Sequence, residues 1–473
     1  MGLSQQPKAL PFLFLTELWE RFGFYVVQGL LVLYMTQYFG YSDNDSFTIL
    51  GAFTALAYIS PIVGGYLADR VLGFEAAIAW GGLFLILGYA LLALPFPTLL
   101  FYPALATIVV GNGLFKPNIS SLLGTQYEMD DRRRDSGFTI FYIGINIGAF
   151  LAGATSGYIK EYFGWRASFA LASVGLIIGL LTFSAGLKYL KATTKTYQIS
   201  ALLHLKIISY AILAIIALTF LLKIEMLARW LLPCLGIVLL FFLIALTAQR
   251  KAEERNRLFI LTTLIISSIV FWMLFLQLFF SSNLYIDRLV TKNLFGIPLT
   301  TTVFYGLESV YIILLGPLFA WLWHFLSSHQ RNPSPVAKFA LGIFFAGLGF
   351  LVLSISTQFP DKSGMIAPLW IFLAYLCITI GELLLSPIGL SAVTMLAPAN
   401  LVGMMMGIWF VATGFGGLFA GMIAKFASIP EGVTASAQKL AIYHTAFLDF
   451  AYLAFFVAIV LFFIRLLLKR LMD

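Results

Sequence analysis

Long apolar runs restrict what this chain can fold into. Runs of roughly 18 to 25 apolar residues recur along its 473 residues, and each is long enough for one helix to cross the hydrocarbon core of a bilayer. A membrane β-barrel would instead show segments of about ten residues with alternating polarity. We therefore predict an all-α integral membrane protein.

The runs follow a plan of six, two and six, or about fourteen membrane helices in total. Six fall within residues 1–190, two within 191–257 and six within 258–473. The middle pair has no charge inside its apolar runs, so we interpret it as an inserted helical hairpin that follows a linker. Two six-helix bundles around a central cavity form the major facilitator fold, in which substrate and coupling ions bind near the middle of the membrane. The symmetry is inferred from the number of spans.

Basic residues concentrate in alternate connectors and produce the net charge of +8. Arg133 and Arg134 lie in one such connector and Arg250 and Lys251 in another, whereas "YSDNDS" at 41–46 has none. Connectors rich in Lys and Arg stay in the cytoplasm. The pattern predicts a multi-pass protein of a bacterial-type inner (plasma) membrane with both termini cytoplasmic. The orientation in the membrane therefore explains the net positive charge. We expect the protein to be surrounded by membrane lipid and to have no nucleic-acid partner.

Signals for an enzyme are weak. The four histidines have no metal-ligand spacing, and no phosphate-binding loop ending in Gly-Lys-Ser or Gly-Lys-Thr is present. We expect no metal, no cofactor other than protons as the coupling ion, and no enzymatic activity.

The first apolar run contains the stretch "TELWERFGFYVVQG" at 16–29. Glu17, Glu20 and Arg21 share one helical face with Tyr25 and Gln28, and each charge would cost about 2.5–3.5 kcal/mol in lipid. Two carboxylates beside one cation are suited to a proton relay. The alternative is a fixed ion pair that only stabilises the bundle.

Four later spans also contain polar or charged residues. Lys116 lies in the fourth run and Asn146 in the fifth, while Glu308 and Glu382 lie in the second and fourth runs of the last six, the latter shortly before Ser386. Lys116 could snorkel to the surface, and Asn146 could simply bond a neighbouring helix. An acid inside a membrane span favours a functional site. Cations in the first half and acids in the second suit a zwitterion.

Several motifs together resemble the proton-dependent oligopeptide transporter family of the major facilitator superfamily. They are "ELWERFGFY" at 17–25, "GGYLADRVLG" at 64–73, "KPN" at 116–118, "FYIGINIG" at 141–148 and "ELLLSP" at 382–387. The resemblance covers nearly the whole chain. It implies a symporter that imports di- and tripeptides with protons by alternating access.

The resemblance also implies site residues. Glu382 would hold the amino terminus of the peptide, and Trp409 would border a side-chain pocket. The predicted proton-coupling residues are Glu17, Glu20, Arg21, Lys116 and Glu308. The predicted substrate-binding residues are Tyr25, Gln28, Tyr58, Lys116, Asn146, Glu308, Glu382, Ser386 and Trp409.

Three positions depart from the family pattern. Phe24 replaces a tyrosine, Gln28 replaces an arginine, and Leu276 replaces a glutamate of the seventh helix. The arginine and that glutamate are thought to pair in the family, and losing one alone would strand a buried charge at about 3–5 kcal/mol. Glu308 stands where relatives commonly have Asn. We hypothesise that it takes over the amine contact or the protonation role.

Two other interpretations stay open. A divergent relative could move another small zwitterion or an amine, as an exporter or a uniporter. A transport-inactive sensor is the third interpretation, which the retained charged residues disfavour.

Overall fold

The computed structural model of the chain describes residues 6–128, 131, 133–190, 201–398 and 401–472. The start of the predicted linker, 191–200, lies outside these residues. The described elements are helical apart from one antiparallel ladder of two residues per strand, β1 (Asn293–Leu294) and β2 (Ile297–Pro298).

The helices follow one another with short connections, and several end in a turn of different pitch. The α-helices are α1 (Leu10–Gln37), α2 (Asp43–Leu67), α3 (Phe74–Ala93), α4 (Pro97–Thr125), α5 (Arg134–Phe163), α6 (Trp165–Gly186), α7 (Ala201–Lys223), α8 (Glu225–Ala248), α9 (Ala252–Phe275), α10 (Ser281–Leu289), α11 (Thr301–Ser328), α12 (Pro335–Ser356), α13 (Leu369–Leu396), α14 (Val402–Ala424) and α15 (Ser436–Met472). A π-helix covers Ala68–Leu72, and 3₁₀ turns cover Leu187–Tyr189, Leu276–Leu278 and Lys425–Ala427.

Twelve helical segments in the described part of the chain are long and apolar enough to cross a membrane. This confirms a multi-pass, all-α membrane protein. The charged helix α1 is not among the twelve, and the apolar part of α8 is the shorter stretch Pro233–Ala248.

The chain forms two compact units. Unit 1 comprises Met1–Tyr34 and Leu56–Leu227, and unit 2 comprises Met35–Ala55 and Ala228–Asp473. The chain passes from unit 1 to unit 2 late in α1 and returns to unit 1 in the middle of α2.

Glycines set the helix spacing in unit 1. A Cβ at Gly64 of α2 would overlap the carbonyl oxygen of Gly113 in α4, and one at Gly81 of α3 would lie 2.6 Å from the Phe115 nitrogen. Small residues of this kind let helix backbones approach closely in a membrane protein. The close approach fixes the section of α4 that carries Asn112 and Lys116.

Glycines also set the spacing in unit 2. A Cβ at Gly381 of α13 would lie 2.5 Å from the Gly342 oxygen of α12, which fixes the helix just before Glu382. Helix α9 ends at Phe275, and in the 3₁₀ turn that follows Gln277 donates from Nε2 to the Ala420 oxygen at 2.9 Å. A hydrogen bond to a neighbouring helix therefore holds the break in place.

Candidate functional site

The three charges of α1 form a buried cluster, which we call the α1 charge cluster (Glu17, Glu20 and Arg21). Arg21 donates to both Glu20 oxygens, from Nε at 2.5 Å and from Nη2 at 2.6 Å. Glu17 Oε1 lies further away, 3.6 Å from Arg21 Nε, and its Oε2 is buried with no hydrogen-bond partner among the described residues. Glu20 is thus tightly paired, whereas Glu17 is held more loosely.

Asn112 of α4 extends this cluster and was not singled out from the sequence. Its Oδ1 accepts from Arg21 Nη2 at 3.3 Å, and its Nδ2 donates to the Ala57 oxygen of α2 at 2.6 Å. One amide therefore joins three helices of unit 1. The only sequence signal was an amide inside the apolar run, between two glycines.

Lys116 lies one helical turn after Asn112. Its ammonium stands 4.2 Å from the centre of the Tyr58 ring, and it is close enough to Glu17 for an electrostatic interaction. No described carboxylate lies within salt-bridge distance of it. The lysine thus rests on an aromatic face, an arrangement favourable to a cation, and its charge is left without a tight counterion.

The other predicted residues of unit 1 lie at varied positions. Tyr25 is half-buried beside Phe24, and Gln28 is buried. Asn146 is buried and donates to the Tyr142 oxygen of its own helix at 3.0 Å. Their roles in substrate binding stay predictions.

Glu308 of α11 and Glu382 of α13 lie side by side in unit 2, and we call them the acid pair. They are 9% and 7% exposed, and their carboxyl groups are placed to share a hydrogen bond. Ser309 donates to Glu308 Oε2 at 3.1 Å, while Glu382 Oε2 is buried without a partner in the described chain. A hydrogen bond between two carboxyl groups requires a proton on one of them. The pair can therefore exchange a proton or receive a cationic group.

Ser386 and Trp409 lie near the same stretch of α13. Ser386 is half-buried, one turn beyond Glu382. Trp409 is buried and lies over Gly389, where a Cβ would overlap its ring, and its indole contacts Phe339 edge-on at 6.1 Å between centroids. Its observed partners are those of a packed residue, and its place at a side-chain pocket stays a prediction.

The three family departures are all buried and apolar or uncharged. Phe24 and Leu276 are each 3% exposed, and Phe24 lies under the Arg21 guanidinium at 4.9 Å. Leu276 begins the 3₁₀ break, where a glutamate would introduce a buried charge. The acid pair supplies unit 2 with carboxylates at another position.

A second ion pair was not singled out from the sequence. Asp43, at the start of α2, accepts two hydrogen bonds from Arg288 of α10, at 2.6 and 2.7 Å, and one from the Ile429 nitrogen at 2.9 Å. All three residues belong to unit 2. The segment "YSDNDS" was interpreted as a polar connector, and no neighbouring residue indicated that Asp43 would be buried.

A family model described as the POT family matches residues 75–440, which is most of the chain. This chain belongs to the POT family. The resemblance to proton-dependent oligopeptide transporters is therefore confirmed. Because this is a family of transporters, the prediction that the chain is not an enzyme is confirmed as well.

Individual relatives agree with this assignment. The chain is 36% identical over 456 residues to dipeptide and tripeptide permease A of Cronobacter turicensis, covering 95% of this chain and 90% of the relative. It is 34% identical to dipeptide and tripeptide permease B of Photorhabdus asymbiotica, covering 100% and 98% of the two chains. A variant of the peptide transporter POT, solved in complex with alafosfalin, matches with a TM-score of 0.86 and 33% identity over 100% of this chain and 97% of that one.

Proposed function

We propose that this POT family member is a proton-coupled symporter that imports di- and tripeptides by alternating access. Its relatives are named dipeptide and tripeptide permeases and are similar over nearly their full length. The observation within this chain that supports the proposal is a set of buried charges that lack tight partners. Buried carboxylates are costly unless a proton or a cation compensates them, and such residues in membrane spans mark ion and substrate pathways.

We assign the proton-coupling role in unit 1 to the α1 charge cluster together with Lys116. Glu17 has one bound and one unpartnered oxygen, and Lys116 lies within electrostatic range of it. A proton arriving at Glu17 would weaken its attraction to Arg21 and leave Lys116 free to bind a substrate carboxylate. The proton-relay interpretation of the stretch at 16–29 thus has a physical route.

The acid pair is proposed to bind the peptide's amino group. A zwitterionic peptide carries an ammonium at one end, and two carboxyl groups that share a proton can lose it when that ammonium arrives. The same pair can therefore act in both binding and proton exchange. This assigns to Glu308 the protonation role that the Leu276 position lacks.

The finer architecture is also a proposal. Fourteen membrane helices would comprise bundles at 1–190 and 258–473, with α7 and α8 as the inserted hairpin within 191–257. In its support, Ala211 of α7 packs with Leu114 of α4 in unit 1. We further propose an inner-membrane location with both termini cytoplasmic, from the distribution of basic connectors.

The test is uptake of labelled dialanine into proteoliposomes that contain the purified protein, with an inward proton gradient. Accumulation that collapses with a proton ionophore is the expected result. Peptide entry without accumulation would show that coupling is lost while the peptide site is intact. No peptide entry, with protein shown to be folded, would refute peptide transport.

The departures from the family pattern favour one second candidate. Phe24, Gln28 and Leu276 remove a hydroxyl and two charges near the expected substrate position, while the acid pair adds a carboxylate. A site with the same number of acids and one base fewer suits a small amine or another zwitterion, moved by an exporter or a uniporter. Competition of dialanine uptake by small amines separates the two candidates.

A further inference from the structure

A cleft of about 810 Å³ lies in unit 2 between α8, α9 and α15. Pockets that hold small organic ligands usually measure about 300–1,000 Å³. Its apolar lining comes from all three helices: Leu240 and Ile244 from α8, Phe259 and Ile266 from α9, and Phe456 and Val460 from α15. Phe259 is 50% and Phe456 64% exposed, so these side chains face the cleft without filling it.

The packing of α8 explains why the cleft exists. A Cβ at Gly236 of α8 would lie 2.8 Å from the Phe415 ring of α14, so the two helices touch there. Helix α9 meets α14 separately, where a Cβ at Gly416 would lie 2.5 Å from Trp272 Cβ. The cleft is lined by the parts of α8 and α9 nearer the turn that joins them, residues 240–248 and 255–270.

The end of the cleft at this turn is basic. Arg255 lines it, and Lys251 lies one helical turn earlier, exposed at the start of α9. Arg250 Nη1 forms an ion pair with Glu254 Oε2 at 3.6 Å. No carboxylate of a described side chain lies within salt-bridge distance of Arg255. The guanidinium is thus available to an anion at the mouth of an apolar cleft.

A hydroxyl group deeper in the cleft also lacks a partner. Thr263 and Ser267 of α9 donate to carbonyl oxygens of their own helix, at 2.9 and 2.6 Å. Thr262, which also lines the cleft, does not: its Oγ1 is buried and has no hydrogen-bond partner in the described chain. Buried hydroxyl groups are normally satisfied, so this one marks a polar position within a mostly apolar wall. Seven residues separate Thr262 from Arg255, about two helical turns or 10 Å.

We propose that this cleft is a binding site for one anionic phospholipid. Along α9 the cleft presents the Arg255 guanidinium at its mouth, and the apolar side chains of Phe259 and Ile266 follow further along the helix. A phospholipid likewise presents a phosphate at one end and acyl chains over the rest of its length. In the orientation proposed above, this end lies at the cytoplasmic leaflet, where anionic lipids concentrate and where Lys and Arg attract them. A zwitterionic lipid would bring its own ammonium towards Arg255, which disfavours it.

The test is native mass spectrometry of the purified full-length chain titrated with dioleoylphosphatidylglycerol. We expect one tightly bound lipid, with dioleoylphosphatidylcholine, which has the same acyl chains, binding at least about tenfold more weakly. Arg255→Gln should weaken phosphatidylglycerol binding about tenfold, equivalent to about 1.4 kcal/mol. The matched control Lys251→Gln removes the same charge from a residue outside the cleft and should change affinity less than about twofold.

Two variants test the location. Ile244→Trp and Val460→Trp fill the cleft from opposite walls at positions that are already exposed, so both should fold and both should abolish the tight binding. Equal affinity for the two lipids, equal effects of Arg255→Gln and Lys251→Gln, or tight binding that survives both tryptophan variants would each overturn the proposal. Binding of inorganic phosphate alone that depends on Arg255 would also overturn the proposal, since the occupant would then be an ion. Dimers of lipid-free protein that Ile244→Trp dissociates would overturn it as well, since the occupant would then be a second copy of the chain.

Discussion

Glu308→Gln is the substitution that most directly tests the acid pair. Glutamine keeps the size of the side chain and removes its charge. In the native pair, a shared hydrogen bond requires a proton, whereas a glutamine amide can donate to Glu382 permanently. The variant should therefore resemble the pair in its protonated state and be unable to release that proton.

The magnitude follows from the number of carboxylates that remain. Both acids are buried, and a hydrogen bond to a buried charged group contributes about 1.5–3 kcal/mol. Because Glu382 would still be available to the proposed substrate amine, we expect the lower end of this range, so that KM for dialanine rises about tenfold. Coupling should suffer more, because the exchangeable proton is gone and gradient-driven accumulation should disappear.

Two transport modes in proteoliposomes separate these effects. Glu308→Gln should lose accumulation under an inward proton gradient but retain counterflow, the exchange of labelled for unlabelled dialanine, at raised substrate concentration. Ser309→Ala is the matched control, because it removes only the 3.1 Å hydrogen bond to Glu308 and should retain both modes. Undiminished accumulation with unchanged pH dependence in Glu308→Gln would refute the assignment.

Three further predictions concern the fold. Gly64→Ala should lower the free energy of unfolding by about 1–3 kcal/mol, because the added Cβ would overlap rigid backbone. Gly65→Ala is the control and should be nearly neutral, because its Cβ would make only ordinary contacts. Similar melting temperatures for the two variants would contradict this prediction. Asp43→Asn should lower the free energy of unfolding by about 1.5–3 kcal/mol, and by much less when Arg288→Gln is already present. Additive effects of the two substitutions in this double-mutant cycle would argue against a coupled pair. The hydroxyl and backbone N–H groups that donate to Asp361 lower the pKa of its carboxyl group. These hydrogen bonds should therefore stabilise the loop at neutral pH, and the stabilisation should be lost as the pH falls through the lowered pKa. A carboxyl ¹³C titration midpoint at or above about 3.9 would be the contrary result.

The sequence allowed much of the helical plan to be predicted, because membrane spans depend on length and apolarity alone. It also located the α1 charge cluster, since Glu17, Glu20 and Arg21 lie on one helix and their spacing fixes their proximity. Both are local properties of the chain. The described helices accordingly lie close to the predicted apolar runs.

Contacts between helices could not be predicted in the same way. Glu308 and Glu382 were assigned to one half of the chain, but nothing in the sequence sets the register of α11 against α13. Asn112 and the Asp43–Arg288 pair were missed for the same reason, because their partners lie far away in the chain. The break after Phe275 likewise depends on a hydrogen bond to another helix.

The division of α2 between the two units has a consequence for biosynthesis. Its first half, within Met35–Ala55, packs in unit 2, where Gly51 lies against Gly421 and Asp43 binds Arg288. A ribosome makes this segment near the start of translation and its partners near the end. Unit 2 therefore cannot complete its packing while the chain is being extended through unit 1. The speed of elongation beyond residue 227 sets how long a nascent α2 stays exposed to chaperones and membrane proteases before its partners arrive.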